Sequence, residues 1–433
     1  MATQTALSGT PRARELHPGV LLAVLTGLNL FNYFDRYILA AVLPYIQSDF
    51  ALSYGDAGRI NTAFMIGYFV TSPFFGYFGD RGSRKWLIAI GILVWSAGTV
   101  LSGFAPFFAL LVLFRIFVGV GEASYASISP SLISDSYEAK RRNTAMTIFY
   151  TAIPVGAALG NIIGGVVAAK AGWRNAFFWA GAPGLALAFC LLPFRDVPHS
   201  HENPEGLSPS RNRPSEGRSN LASVFRLLRL PNYTLTIAGY AAYTFVVGAF
   251  AVWGPSYLHR VNGLGEEAAA TFFGVVLVIC GLASTLVGGL IATAWQKKTR
   301  SGYALILTLS VALAVPSSLV AFFSHSLVVS MGGFTLSMFF LFLSTGPVNT
   351  LIVETVPGEF RASAMALSIF VIHLFGDMWS PEIVGRISDY YGGLQKGVLI
   401  LPLVLLIATA LWGALAARMR RVKPWAPRVA DAS

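Results

Sequence analysis

The 433-residue chain is poor in charge. Asp, Glu, Lys and Arg make up 12% of it, against roughly 25% in an average soluble domain. So thin a supply does not cover a water-facing surface. With 55% hydrophobic residues and a mean hydropathy of +0.63, most of the surface must face lipid. Cysteine is scarce too: Cys190 and Cys280 both lie inside apolar runs, which argues against a structural disulfide or a zinc site. The six histidines fall in no metal-ligand spacing, so neither a metal nor another cofactor is expected. The 43 glycines have no period of three, which removes collagen, and the apolar content removes a disordered chain.

The net charge of +11 would suggest nucleic acid in a soluble protein. Here the basic residues sit in short clusters between apolar runs, the pattern that orients helices in a bilayer, and no nucleic-acid partner is expected. Twelve runs are long and apolar enough to span, a task that takes about 20 residues. They are 18–46, 56–80, 85–105, 107–135, 142–170, 174–194, 231–260, 266–294, 301–323, 326–355, 360–390 and 395–418. The first is no signal peptide, since Asp35 and Arg36 stand in its middle. Counting basic residues by side puts 23 of the 31 with the termini and six on the opposite side. Both termini are therefore expected in the cytoplasm of a multi-pass cell-membrane protein (the inner membrane, in a bacterium).

Residues 195–230 are polar and rich in Pro, Ser, Arg and Asn, which reads as a cytoplasmic linker. Its end, Val224–Arg229, alternates apolar and basic residues. This is either a short helix on the inner leaflet or the start of the seventh span. The expected organisation is a six-helix half over 1–194, the linker over 195–230 and a second six-helix half over 231–433. The halves retain similarity: at an offset of 219, Ile133 meets Ile352, Asp135 meets Glu354, Arg142 meets Arg361, and Ala145-Met146 meets Ala364-Met365. Such a repeat implies two bundles about a pseudo-two-fold axis, with a substrate site between them.

The loop after the second span reads Gly76-Tyr-Phe-Gly-Asp80-Arg81-Gly82-Ser-Arg84-Lys85. Gly76 is expected to let its helix approach a neighbour, Asp80 to accept hydrogen bonds at a helix end, and Arg81, Arg84 and Lys85 to hold the loop at the cytoplasmic face. The loop resembles the signature loop of the major facilitator superfamily, and the resemblance implies a latch between the two halves. The corresponding loop of the second half, Gln296–Arg300, lacks the acid.

Charges inside spans are costly and are functional by default. The first span carries Asn32-Tyr33-Phe34-Asp35-Arg36-Tyr37; the fourth carries Arg115 and, seven residues on, Glu122 on the same face. Helical rise puts Asp35 and Arg115 at similar depth, so they can pair, with Glu122 deeper. Asp35, Arg36, Arg115 and Glu122 are expected to line the central cavity. Burial favours a protonated carboxyl and a nearby arginine favours an ionised one, so a cavity that wets and dries switches Asp35 and Glu122 between states. Arg36 and Arg115, with Asn32 and Tyr33 beside them, are candidates to hold an anionic group. A fixed salt bridge pinning the first span to the fourth is the plainer alternative, but it explains two charges and not four.

In the fifth span, glycines at four-residue spacing (Gly156, Gly160 and Gly164) give a smooth face for tight packing. In the eleventh, His373 and Asp377 share a face as a hydrogen-bonded pair or a candidate proton relay, and Glu382 and Arg386 are expected to form a solvated pair. The aromatics of spans seven and ten, among them Tyr240, Tyr243, Phe250, Trp253 and Phe334, face either the cavity or lipid.

The strings NYFDRY, RIFVGVGEASYAS (Arg115–Ser127), FYTAIPVGAALG and HLFGDMWSPEIVGRISD together resemble the spinster family of the major facilitator superfamily, over residues 29–390. The resemblance implies an all-α fold of twelve transmembrane helices in two six-helix bundles. It also implies proton-coupled movement of lysophospholipids or lysosphingolipids by alternating access, in a monomer. Asp35, Arg36, Arg115 and Glu122 fall on positions regarded as functional in that family, while Trp379 and Glu382 depart from its usual small or neutral residues. The alternatives are a proton-coupled organic-anion symporter or a drug-type exporter of the same superfamily. A membrane enzyme is disfavoured, because the outer loops are too short to supply a catalytic constellation.

Overall fold

The computed structural model of the chain describes residues 18–79, 81–191, 226–357 and 360–421. These residues are helical throughout, apart from short connections. In chain order the helices are α1 (Pro18–Asp49), α2 (Tyr54–Gly79), α3 (Arg84–Phe104), α4 (Phe108–Ser136), α5 (Ala139–Ala171), α6 (Trp173–Leu191), α7 (Pro231–Arg260), α8 (Glu266–Lys298) and α9 (Gly302–Phe323). α10 runs as Leu327–Phe342 and then Thr345–Glu354. α11 runs as Arg361–Ile372, a π-helical turn His373–Asp377, and Ser380–Tyr391. α12 is Ile400–Arg421, preceded by one turn, Leu394–Gly397. A helix is found at each of the twelve expected spans, most with ends within a few residues of those read from the apolar runs. Among the described residues nine helices meet a strict length and hydropathy standard for crossing a membrane. α1 is not one of them, because Asn29, Asn32, Asp35 and Arg36 interrupt its apolar run.

The ends of the helices follow local chemistry. Ser83 caps α3, its hydroxyl accepting from the Trp86 amide at 3.3 Å. α8 begins with Glu266 and Glu267 and ends with Lys297 and Lys298, charges that complement its dipole. α11 stops at Gly392, which takes the left-handed conformation (φ 74°).

The described residues cluster into two compact units. The first takes those within Met1–Ile38, Ala63–Gly160 and Lys170–Gly206; the second takes those within Leu39–Thr62, Asn161–Ala169 and Leu207–Ser433. In the first unit α3 packs against α4 and α6, and α5 lies tightly on α1. A methyl group at Gly156 would overlap the Leu30 carbonyl oxygen and one at Gly160 that of Phe34, so this face admits hydrogen only. In the second unit α9 packs against α10 and α12, and α7 against α12 and the π-turn of α11. Its core holds the aromatics of α7 and α10. Tyr243, Phe250, Trp253 and Phe334 are buried among helices and away from lipid, and Phe250, Trp253 and Phe334 line a small apolar cavity there with Tyr257 and Phe322. Tyr243 donates to the Leu341 carbonyl at 3.0 Å and Trp253 to that of Pro381 at 2.9 Å.

Of the candidate inner-leaflet helix, Val224 and Phe225 lie outside the described residues. What is described is one 3-10 turn, Leu227–Arg229. Leu227 is seated in a core cluster with Tyr233, Ile237, Ile352 and Leu367, so the turn serves as the lead into α7.

Candidate functional site

The site is built on α1, α2 and α4. α1 supplies Asp35 and Arg36; α4 supplies Arg115 and Glu122 from one face. Asp35, Arg115 and Glu122 are each at most 1% exposed. The four charges resolve into two ion pairs. Arg115 Nη1 lies 3.5 Å from Asp35 Oδ1, and Asp35 Oδ2 accepts a short hydrogen bond from the Thr99 hydroxyl of α3. Arg36 donates to Glu122 Oε2 from Nε at 3.2 Å and from Nη2 at 2.8 Å. The expected Asp35–Arg115 pair is thus present, and Glu122 is held by Arg36. With all four groups ionised the cluster is neutral. Protonating one carboxyl leaves it one positive charge, which suits a single phosphate or carboxylate group.

Three rings enclose the Arg36 guanidinium: those of Tyr33 at 5.2 Å, Phe64 at 4.9 Å and Tyr68 at 5.2 Å from its carbon. Asn32 is buried beside them, and its Nδ2 has no hydrogen-bond partner among the described residues. Phe64 and Tyr68, on α2, were not apparent from the sequence, since neither carries charge and both stand in the apolar stretch that follows Thr62. Two further polar side chains brace α1: Asn29 donates to the Phe149 carbonyl at 3.0 Å and Tyr125 to that of Leu25 at 2.5 Å.

The signature loop departs from expectation at one described position, Gly76. Asp80 lies outside the described residues. Gly76 makes no close approach: a methyl group there would meet nothing within 4 Å, and the tight position is one turn on at Gly79, 3.1 Å from an Ile128 side-chain carbon. Arg81 is exposed and stacks on Tyr77 at 3.9 Å; Lys85 lies over Trp86 at 5.3 Å. Arg84 is buried and pairs with Asp135, at the end of α4, at 2.5 Å. In the second half Gln296 donates to Glu354 at 3.4 Å. Asp135 and Glu354 are the acids matched by the internal repeat, and each receives a partner from around the loop after the second helix of its own half.

His373 Nδ1 lies 2.9 Å from Asp377 Oδ1 across the π-turn of α11, with both side chains about a quarter exposed. Glu382 and Arg386 pair at 2.6 Å, but the pair is not fully solvated. The first turn of α2 covers the carboxylate, Arg59 reaches it at 3.7 Å, and its side chain is 11% exposed against 60% for Arg386.

The profile of the Major Facilitator Superfamily matches residues 25–381. The chain belongs to this superfamily. Within it the chain falls in the spinster family. It is 34% identical over 400 residues to Protein spinster homolog 1 of Xenopus tropicalis, covering 88% of this chain and 74% of the relative. It is 32% identical over 424 residues to an Arabidopsis thaliana protein named "Probable sphingolipid transporter spinster homolog 2", covering 91% and 86%. The crystal structure of a bacterial homologue of the human lysosomal transporter spinster, in an inward-facing and unoccupied conformation, has the same fold. Its TM-score is 0.84 at 21% identity, covering 96% of this chain and all of that one. This spinster-family protein is therefore a multi-pass membrane transporter of the major facilitator fold and not an enzyme.

Proposed function

We propose that the protein is a proton-coupled secondary active transporter that moves a lysophospholipid or lysosphingolipid across the cell membrane by alternating access, as a monomer with both termini in the cytoplasm. The observation that carries this reading is the pair of buried ion pairs, Asp35–Arg115 and Arg36–Glu122, on two helices of one bundle. A neutral site of this kind gains one positive charge with each proton it takes up, and the arginine so released is free to bind an anionic head group. Asp35 and Glu122 are the proton-accepting groups; Arg36 and Arg115, with Asn32 and Tyr33, receive the head group. The name of the Arabidopsis relative, a probable sphingolipid transporter, supports a substrate of the sphingolipid class. Gly76, Asp80, Arg81, Arg84 and Lys85 form the gating loop, and His373 with Asp377 forms a second proton relay.

The test is flux of a fluorescent lysophospholipid in proteoliposomes with and without an imposed pH gradient, comparing wild type with Asp35→Asn. Gradient-dependent flux in the wild type that disappears in the variant supports the reading. Flux indifferent to the gradient removes proton coupling. No lysolipid flux, from protein that a carboxylate ligand stabilises against heat, moves the substrate to an organic anion.

A further inference from the structure

Phe64 occupies an unusual place in the site. Its ring is 1% exposed, and it lies under two cations at once: the Arg36 carbon is 4.9 Å from the ring centre and the Arg115 carbon 5.5 Å. Each arginine belongs to a different ion pair. Two guanidiniums so close repel each other in a poorly solvated interior, and an aromatic face attracts both. The ring's position is set by backbone. α2 and α4 cross so closely that a methyl group at Gly119 would overlap the Phe64 carbonyl oxygen and sit 2.7 Å from the Tyr68 amide nitrogen. One at Gly67 would overlap the Ile116 carbonyl oxygen. Only hydrogen at these two positions lets α2 come near enough for Phe64 to reach both arginines.

The alternative pairings are near at hand. The Arg36 charge also reaches Asp35, and that of Arg115 also reaches Glu122, so the four charges have a second way to combine. A shared ring that engages both guanidiniums favours one combination. We propose that Phe64 is a positioning residue of the transport site: its ring holds Arg36 on Glu122 and Arg115 on Asp35, so that a proton taken up by one carboxyl releases that carboxyl's own arginine and leaves the other pair closed. This deepens the proposed function and rests on its premise that Asp35 and Glu122 exchange protons. The other titratable groups facing this cluster are Tyr33 on α1, Tyr68 on α2, Tyr125 on α4 and, facing Tyr33, Tyr150 on α5; α3 contributes the Thr99 hydroxyl and α6 the Phe177 ring.

The test replaces Phe64 by mono-, di- and trifluorophenylalanine, which keep the ring's shape and progressively withdraw its negative face, and separately by leucine. The readout is an infrared titration of the carboxyl bands of the purified full-length protein, assigned with Asp35→Asn and Glu122→Gln. Positioning by the ring predicts that both titration midpoints move steadily with fluorine number. The total is about half a pH unit, the scale of a buried cation–π contact expressed in protonation. Leucine should move both further and make each band respond to substitution of the other carboxyl. A ring that merely fills space predicts midpoints that stay put along the fluorine series, and that result overturns the proposal even if the leucine variant does not fold. Flux in proteoliposomes keeps the two readings apart. Fluorine-sensitive midpoints with flux indifferent to a pH gradient leave Phe64 in its role and remove proton coupling. Midpoints unmoved by fluorine with gradient-dependent flux do the reverse.

Discussion

Both of the hydrogen bonds from Arg36 to Glu122 end on the same oxygen, Oε2, while Oε1 of this fully buried carboxylate accepts none from the described residues. The arrangement is end-on. It leaves one face of the carboxylate for a proton and keeps the guanidinium in reach of a competing anion. A side-on, two-oxygen contact would bind more tightly and exchange less readily. The surrounding rings of Tyr33, Phe64 and Tyr68 stabilise the cation whether or not Glu122 is ionised.

Glu122→Gln should therefore fold. The amide oxygen still accepts from Arg36, and the rings still hold the cation. The charge that recaptures Arg36 after each cycle is gone. The expected outcome is a loss of gradient-driven lysolipid flux of tenfold or more (about 1.4 kcal/mol at the least). Exchange of labelled for unlabelled lipid across the same membrane should persist. Both are measured in one proteoliposome preparation.

Asp35→Asn removes the counter-charge of Arg115, a guanidinium that is 1% exposed. Breaking a buried pair on one side costs about 3–5 kcal/mol, because the remaining charge is left uncompensated. The introduced amide keeps an acceptor for the Thr99 hydroxyl, which holds the loss toward the lower end. Thermal stability should fall in Asp35→Asn and recover largely in Asp35→Asn/Arg115→Gln, where no unpaired charge remains. Gradient-driven flux should be absent from both. Recovery of stability without recovery of flux separates the structural role of the pair from its coupling role.

Much of the fold is legible in the sequence because a bilayer imposes a length on every apolar run. The span read at 231–260 is the helix Pro231–Arg260, and the one read at 107–135 is Phe108–Ser136. The site is legible in part. Four charges in apolar surroundings announce themselves, and helical rise alone brings Asp35 level with Arg115. The partner of Arg36 is harder to foresee, since it depends on which way a long side chain turns, and the cage on α2 turns it toward Glu122. Phe64 and Tyr68 look like any lipid-facing aromatics until Gly67 and Gly119 are seen to draw α2 onto α4. The burial of Glu382 is likewise hidden. Its spacing to Arg386 suggests solvent, and what covers it is the close approach of α2 at Gly58, where a methyl group would lie 2.5 Å from the Pro381 carbonyl oxygen, with Arg59 beside it.

The π-turn of α11 makes a second check on geometry. Gly376 takes φ −104° and ψ −105°, outside the helical region, and a methyl group there would overlap the Thr244 hydroxyl of α7. That hydroxyl donates to the Ile372 carbonyl, just before the turn, at 3.1 Å. Gly376→Ala should destabilise the protein by about 1–3 kcal/mol through overpacking. Adding Thr244→Ala makes room for the methyl group and should return a large part of that loss, although the hydroxyl's own hydrogen bond, worth about 1 kcal/mol, is given up. Denaturation of the two variants and the double variant measures the coupling directly.

The second unit holds a clasp between the start of α2 and the end of α11. Asp389 accepts from the Tyr54 amide at 2.8 Å through Oδ1 and from the Gly55 amide at 2.7 Å through Oδ2, so a carboxylate of one helix caps the N-terminus of another. Gly385 lets the backbones meet, since a methyl group there would overlap the Tyr54 carbonyl oxygen. The proposed orientation puts this clasp on the outer side of the membrane, where its release would admit water to the helix ends. Asp389→Asn replaces one acceptor by an amino group facing a backbone N–H, which costs about 1–2 kcal/mol. A cysteine placed at Thr62, whose hydroxyl bonds to the Met378 carbonyl at 3.1 Å beneath the clasp, reports the opening when Cys190 and Cys280 are first replaced. Alkylation by a membrane-impermeant maleimide should run about tenfold faster in the Asp389→Asn background, in proportion to the weakened cap. Equal rates with and without that substitution would show that the backbone contact at Gly385 holds α2 to α11 without help from the carboxylate.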